Sequence, residues 1–164
     1  MTVQTGIGYD CHRFAEGRRL VLGGIELPHD RGLSGHSDAD VLTHAIIDAL
    51  LGAAGLGDIG QHFPDTDPAY KDADSLELLR TVTRMLGEHG CEIRHVDATV
   101  LLERPKLGAA RGAIRSSLAT VLELADDNVN VKATRGEGMG FVGTEEGAAA
   151  LAVATIERVS RRDT

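Results

Sequence analysis

A regular apolar pattern after Ser37 restricts the fold of this chain more than any other feature of its sequence. Apolar residues recur at the spacing of one helix face, at Val41, Leu42, Ala45, Ile46, Ala49 and Leu50. Ser37 precedes them as the expected N-cap, and Asp40 occupies the capping-box position three residues later. Gly55 and Gly57 end the pattern. The sequence therefore predicts a helix that begins near Ser37 and ends before Gly55.

Extended segments and two further helices accompany this helix. Strands are predicted over Val3–Arg13, in "RRLVLGGIELP", in "CEIRHVDATVLLE" and in "NVNVKAT". Helices are predicted from Ser75 to the stop at Gly90 and over roughly 109–124. The C-terminal "AAALAVATIERV" fits a helix or a strand, because alanine favours helices while valine and threonine favour strands. This mixture predicts one α+β domain over residues 1–164, a sheet with helices on one face.

Composition and charge narrow the classes of function. With 164 residues the chain can bury a core, and because only 3% of them are aromatic, Leu, Val, Ile and Ala must build it. A net charge of −8 argues against nucleic-acid binding, and a phosphorylated substrate would need metal cations or local donors. Two cysteines do not form a disulfide framework. Because there is no apolar run of membrane length and no leader character at the N-terminus, we predict a cytoplasmic protein without a membrane partner.

One set of residues has the composition of a metal site. Asp10 and His12 are two apart on a predicted strand and share a face, while Asp40, His44 and Asp48 follow one stripe of the predicted helix. Two histidines, one carboxylate and an open position are typical of catalytic zinc, and the same set also suits non-haem iron. Taken singly, each of these residues is more often an ordinary hydrogen-bonded side chain.

A second group of polar residues lies at the start of the predicted helix. Ser34, His36 and Ser37 lie where free backbone N–H groups favour an anion. Helix capping alone explains Ser37 but leaves His36 without a role.

Three later loops carry further candidates. Their chemistry-bearing residues are Asp58, Asp65 and Asp67, then Lys106, then Glu137 within the glycine-rich "RGEGMGFVG". The loop acids and Lys106 are equally compatible with solvent exposure. Glu137 could bind a hard cation such as Mg²⁺, and the glycines around it permit close approach to a ligand or serve only the turn.

Taken in this order, the clusters identify a resemblance that covers nearly the whole chain. From "GIGYDCHRF" through "HSDADVLTHAIIDALLGAAGLGDIGQHFPDTDPAYKDADS" to "VNVKAT", the sequence resembles the 2-C-methyl-D-erythritol 2,4-cyclodiphosphate synthases of the non-mevalonate isoprenoid pathway. The resemblance implies zinc on Asp10, His12 and His44, and a second cation, Mg²⁺ or Mn²⁺, near Glu137. It implies a catalytic role for His36, which with Ser37 contacts the substrate phosphates.

The resemblance also assigns the remaining substrate contacts and the architecture. The implied substrate-binding residues are Asp10, His12, His36, Ser37, Asp58, Ile59, Gly60, Phe63, Asp65, Asp67, Pro105, Lys106, Thr134, Glu137 and Phe141. The cytidine lies on the side of Pro105, Lys106 and Thr134. The implied fold is a four-stranded mixed sheet with helices on one face. The implied assembly is a homotrimer whose sheets face the three-fold axis and whose active sites lie between subunits.

The implied reaction is an intramolecular phosphorus–oxygen lyase reaction. It converts 4-diphosphocytidyl-2-C-methyl-D-erythritol 2-phosphate to 2-C-methyl-D-erythritol 2,4-cyclodiphosphate and releases CMP. Two positions depart from the family pattern: Arg135 replaces a threonine, and Thr144 replaces an arginine linked to the trimer axis. The alternatives are a zinc-dependent phosphohydrolase and a non-catalytic trimeric nucleotide-binding protein.

Overall fold

A computed structural model of the protein describes residues 1–159. The predicted domain of residues 1–164 therefore extends five residues beyond the described part. The strands are β1 (Thr2–Ala15), β2 (Leu20–Leu22), β3 (Ile25–Leu27), β4 (Gly32–Leu33), β5 (Cys91–Leu101), β6 (Val129–Thr134) and β7 (Gly147–Arg158). The α-helices are α1 (Val41–Ala54), α2 (Ile59–His62), α3 (Ser75–Glu88), α4 (Ala110–Leu122) and α5 (Gly140–Gly143). Single 3₁₀ turns cover Pro68–Tyr70 and Asp126–Asn128.

Five strands form one mixed sheet in the order β4-β1-β7-β5-β6. β7 pairs antiparallel with both β1 and β5, and β6 pairs parallel with β5. The predicted α+β architecture is confirmed, but the predicted count of four strands is wrong. The fifth strand is the two-residue β4, which pairs with the end of β1 through Leu33 and Phe14. A strand of two residues is too short to show the alternation of apolar and polar residues by which strands are recognised in a sequence.

The C-terminal segment is the central strand β7, which resolves its ambiguity. Ala148, Ala150, Ala152 and Ala154 face the core and are almost completely buried. Helix α1 packs across β1 and β7 on that face. Small side chains let the helix lie close to the sheet, so packing outweighs the helix propensity of alanine.

Helix α1 begins later than its sequence predicts. Its N-cap is Asp40, not Ser37, because the Asp40 carboxylate accepts the Thr43 N–H at 3.0 Å. The same carboxylate accepts the N–H groups of Gly23 and Gly24, so it ties the helix to the β2–β3 hairpin. Ser37 is thereby left in the loop that precedes the helix.

The two faces of the sheet have different surroundings. Helices α1, α3 and α4 lie on one face, where the hydrophobic core is built. The opposite face, here called the open sheet face, carries exposed apolar side chains at Val3, Ile7, Tyr9, Leu151 and Val153. Strand pairing places Ile7 opposite Val153 and Tyr9 opposite Leu151, so these side chains form one patch. Within residues 1–159, no helix is both long and apolar enough to cross a membrane.

Candidate metal centre and ligand cavities

Asp10, His12 and His44 converge at one point between β1 and α1. The Asp10 Oδ2 atom lies 2.7 Å from His12 Nε2 and 3.0 Å from His44 Nδ1, and the two nitrogens are 3.3 Å apart. A tetrahedral zinc with ligands at about 2.0–2.1 Å separates its ligand atoms by about 3.3 Å. These side chains are the one group of three potential metal ligands among the described residues. The predicted set is therefore brought together.

Close packing of α1 on β1 produces this convergence. A Cβ atom on Gly6 or Gly8 would overlap the carbonyl oxygen of Ala49 or Ala45 respectively. Glycine at both positions lets the helix backbone rest directly on the strand. Asp10 and His12 continue the inward face of β1 beyond these glycines, so they meet the first turn of α1.

Hydrogen bonds to residues outside the cluster fix the tautomer and the orientation of both imidazoles. His12 Nδ1 donates to the Ser34 carbonyl oxygen at 3.0 Å, which leaves the lone pair of Nε2 facing the cluster. His44 Nε2 lies 2.8 Å from Ser75 Oγ, and the Ser75 hydroxyl in turn donates to the Asp38 carboxylate. His44 Nε2 therefore donates to Ser75, and its Nδ1 presents a second lone pair to the cluster.

A cation fits this donor set. Two imidazole lone pairs and a carboxylate oxygen face one another at hydrogen-bond distance, an arrangement that repels unless a proton or a metal ion lies between them. A carboxylate behind a ligating histidine is also the usual support of protein zinc sites. Asp38, acting through Ser75, provides this support for His44.

The electrostatics agree with a site for positive charge. Partial burial opposes ionisation of Asp10, but the hydrogen bonds and charges of His12 and His44 prevail and lower its pKa to about 2. For His44, burial disfavours the charged imidazolium, yet Asp10 outweighs that effect and raises its pKa. The cluster thus holds a carboxylate near neutral pH and favours positive charge on His44.

A cavity of about 410 Å³ opens directly onto this cluster. Its lining includes eight of the predicted site residues: His12, His36, Ser37, His44, Ile59, Gly60, Phe63 and Asp65. Pro64, Tyr70 and Leu78 also line it and were not predicted. Tyr70 packs edge-on to Phe63, with 5.3 Å between ring centroids. Because this pair joins separate helical turns, no local spacing in the sequence indicates it.

Other predicted acids have structural partners. Asp58 caps α2 and Asp67 caps the 3₁₀ turn after it, each through a backbone N–H of the following residues. Asp48, on the predicted stripe of α1, accepts the Ile59 N–H at 2.8 Å and so holds α2 beside the cavity. Asp40 caps α1. Of the predicted helix stripe, His44 alone joins the metal cluster.

A second cavity, of about 340 Å³, lies beyond the ends of β5 and β6. Pro105, Lys106 and Thr134 line it together, and Arg135 and Arg111 join them. Arg135 donates to Glu103 Oε1 at 3.1 Å, and the other oxygen of Glu103 accepts the Gly136 N–H at 2.8 Å. Glu103 therefore fixes the start of the glycine-rich turn.

Two predicted residues lie apart from both cavities. Glu137 has a φ of 53° within the glycine-rich turn and belongs to no group of three potential ligands in the described part of the chain. Phe141, on α5, lines a smaller cavity of about 200 Å³ with Cys11 and Arg13. Arg13 forms an ion pair with Glu146 at 2.7 Å in that cavity.

The Asp10–His12–His44 cluster and the second cavity are separated within one chain. His12 on β1 pairs with Ala148 on β7. Thr134 on β6 pairs with Leu101 on β5, and Leu101 pairs with Ala149 on β7. Both groups thus lie at the same end of the sheet but three strands apart, about 14 Å at the usual strand spacing.

The fold and the site together define a class: an α+β protein in which an Asp-His-His cluster able to hold a metal ion faces a cavity. The YgbB family profile matches residues 3–157. A 2-C-methyl-D-erythritol 2,4-cyclodiphosphate synthase of Salinibacter ruber is 59% identical over 155 residues, which are 94% of this chain and 99% of that protein. Its counterpart in Prosthecochloris aestuarii is 54% identical with the same coverage. The chain therefore belongs to the YgbB family, that of the 2-C-methyl-D-erythritol 2,4-cyclodiphosphate synthases.

Solved structures agree with this placement. The bifunctional IspDF of Campylobacter jejuni matches with a TM-score of 0.93 and 43% identity over 96% of this chain, which spans 43% of that larger protein. A 2-C-methyl-D-erythritol 2,4-cyclodiphosphate synthase solved in a CDP-bound form matches with a TM-score of 0.86 and 38% identity, over 94% of this chain and all of that one. The predicted enzyme class, a lyase of the non-mevalonate isoprenoid pathway, is confirmed.

Proposed function

We propose that this chain cyclises 4-diphosphocytidyl-2-C-methyl-D-erythritol 2-phosphate to 2-C-methyl-D-erythritol 2,4-cyclodiphosphate and CMP. The observation that carries the proposal is the Asp10–His12–His44 cluster at the base of a cavity that His36 and Ser37 also line. In the reaction an oxygen of the 2-phosphate attacks the β-phosphorus, and the bond between that phosphorus and the bridging oxygen of CMP breaks. Because a phosphate monoester is ionised near neutral pH, the attack requires no protein base.

The chain's own residues provide positioning and charge. Asp10, His12 and His44 would hold Zn²⁺, which when bound supplies Lewis-acid polarisation of a phosphoryl oxygen. Ser37 Oγ accepts the Ala39 N–H at 3.2 Å and lies 3.1 Å from His44 Nε2, so its own proton is available to a phosphate oxygen. His36 lies beside it on the cavity wall as a second donor. Such preorganised donors are the main source of catalysis in phosphoryl transfer.

The sugar and the nucleotide would occupy different walls. Ile59, Gly60 and Phe63 offer a mainly apolar surface next to the cluster for the methylerythritol. Lys106, Thr134 and Pro105 in the second cavity would hold the cytidine. A related solved structure was obtained in a CDP-bound form. We propose that a second cation, Mg²⁺ or Mn²⁺, binds near Glu137.

A homotrimer would bring the two walls together. Within one chain they are about 14 Å apart, so the nucleotide wall of one subunit would face the metal cavity of its neighbour. The open sheet face supports this assembly, because Ile7 and Val153 are 71% and 44% exposed in one contiguous apolar patch. Patches of this kind mark protein–protein contacts. The cytoplasmic location stays a prediction.

The test is to incubate purified protein with the cytidine substrate, with and without a chelator, and to identify the products by mass. Cyclic diphosphate plus CMP, lost on chelation and restored by Zn²⁺, is expected. A ring-opened product that has gained water would establish a phosphohydrolase instead. CMP or CDP binding without turnover, with turnover restored by Arg135→Thr, would establish a nucleotide-binding protein inactivated at that position.

A further inference from the structure

Arg18 joins the two ends of the loop that carries the phosphate-facing residues. Its Nε atom donates to the Leu33 carbonyl oxygen at 2.7 Å, and its Nη2 atom donates to the Ser37 carbonyl oxygen at 2.8 Å. Leu33 ends β4, and Ser37 lies four residues before the start of α1. The guanidinium therefore bridges residues 33 and 37 along one rigid edge.

The residues between these two carbonyls serve the site. The Ser34 carbonyl orients His12, and Gly35, His36 and Ser37 line the 410 Å³ cavity. Residues 34–40 form neither helix nor strand, so no regular hydrogen-bond ladder holds them. Leu33 and Ser37 are themselves buried, and the carbonyl groups of buried residues need hydrogen-bond partners. Arg18 supplies both.

We propose that Arg18 is a positioning residue that holds residues 34–37 in the shape by which His36 and Ser37 meet the substrate phosphates. This inference depends on the proposed function for the identity of the ligand. Arginine suits the role because its planar guanidinium offers two parallel donors on one edge, whereas a lysine ammonium is a single point. Losing these bonds would leave two buried acceptors unsatisfied, which favours rearrangement of the loop.

The neighbouring arginine provides a matched control. Arg19 is 77% exposed at its side chain and makes one long contact, 3.4 Å to Glu26. Arg18→Met and Arg19→Met therefore remove the same charge and the same length of side chain. Arg18→Lys is the conservative variant: it keeps the charge but loses the fork.

The experiment measures hydrogen exchange and CDP binding in zinc-loaded protein. In the wild type, the amides of Ser34 and Asp38 donate to the carbonyl oxygens of Arg13 and Ala73, so we expect slow exchange at these two amides. Arg18→Met is expected to raise that exchange at least tenfold and to weaken CDP binding at least tenfold. Arg18→Lys should fall between, and Arg19→Met should stay within twofold of the wild type.

The outcomes separate this proposal from the proposed function. If Arg18→Met keeps wild-type exchange and CDP affinity, or if Arg19→Met changes both as much, the proposal is overturned. If Arg18→Met does not fold, hydrogen exchange and CDP binding are measured on Arg18→Lys instead. The melting temperature of Arg18→Lys is compared with that of the wild type to show that this variant is folded. If the wild type forms no cyclic product, yet Arg18→Met alone loosens the loop and weakens CDP binding, the positioning role stands and the reaction assigned to the site fails.

Discussion

The hydroxyl of Ser75 connects the Asp38 carboxylate to the imidazole of His44. Ser75 Oγ lies 2.8 Å from His44 Nε2, and the Ser75 N–H also bonds to Asp38 at 3.0 Å. Because His44 faces the metal cluster through its other nitrogen, Asp38 acts on the cluster from outside it. The first prediction tests this relation.

Ser75→Ala is expected to weaken zinc binding by about tenfold, within the range found for such supporting groups. The hydroxyl lost is the acceptor that holds His44 in the tautomer with a free Nδ1. Competition against a chromophoric chelator measures the affinity. Ser116→Ala, which removes an exposed hydroxyl from α4, should leave it unchanged; equal affinities for wild type and Ser75→Ala would contradict the relation.

His44→Ala should abolish binding of one equivalent of zinc, because two remaining side chains do not complete the three-ligand set. Elemental analysis after dialysis measures the metal content. His89→Gln removes an exposed histidine at the end of α3 and should retain one equivalent. Retention of full metal content by His44→Ala would place the zinc elsewhere.

Gly8→Ala should destabilise the protein by at least about 2 kcal/mol, since the added methyl group overlaps the α1 backbone at Ala45. Denaturant unfolding measures the free energy. Gly52→Ala is the control on α1, where the nearest atom to an added Cβ is 3.9 Å away. That change should stabilise the helix by up to about 1 kcal/mol. A Gly8→Ala protein as stable as the wild type would show that the strand and helix can separate.

Ile7→Lys should dissociate the proposed trimer, because it puts a charge at the centre of the open sheet face. Analytical ultracentrifugation measures the mass in solution. Ala113→Lys adds the same charge at an exposed position on α4 and should leave the mass unchanged. If the wild type is itself a monomer at micromolar concentration, the assembly is refuted independently of the variants.

Acid should lower the folding stability of the metal-free protein by protonating Asp10. Its pKa of about 2 is below that of an unfolded aspartate, so ionised Asp10 stabilises the fold above pH 4, and that stabilisation is lost as the pH falls towards 2. The difference corresponds to about 2 kcal/mol. Urea unfolding of wild type and Asp10→Asn between pH 5 and pH 2 checks it: the wild-type protein should lose more stability, and parallel curves would exclude the effect.

Alternation predicts that Asp10 and His12 share one face of β1, because that rule acts over only two residues. Helical spacing places His44 on one stripe with Asp40 and Asp48, and the resemblance alone assigns the ligand role to His44; the structure brings His44 next to Asp10 and His12. The pairing of Asp38 with Ser75 escaped prediction because 37 residues separate them and only the fold brings them together. The sequence predicts that α3 starts at Ser75, which is confirmed, and the residue that caps this start is Asp74. The residue pattern did not distinguish strand from helix for β7, because its alanines fit the close packing of α1 on the sheet and not the usual preferences of a strand.

The alternate residues of strand β1 face two different parts of the molecule. Asp10 and His12 point towards His44, while Tyr9 and Cys11 point from the same backbone to the opposite surface. In the proposed trimer, β1 would therefore carry subunit contacts on one face and two candidate metal ligands on the other.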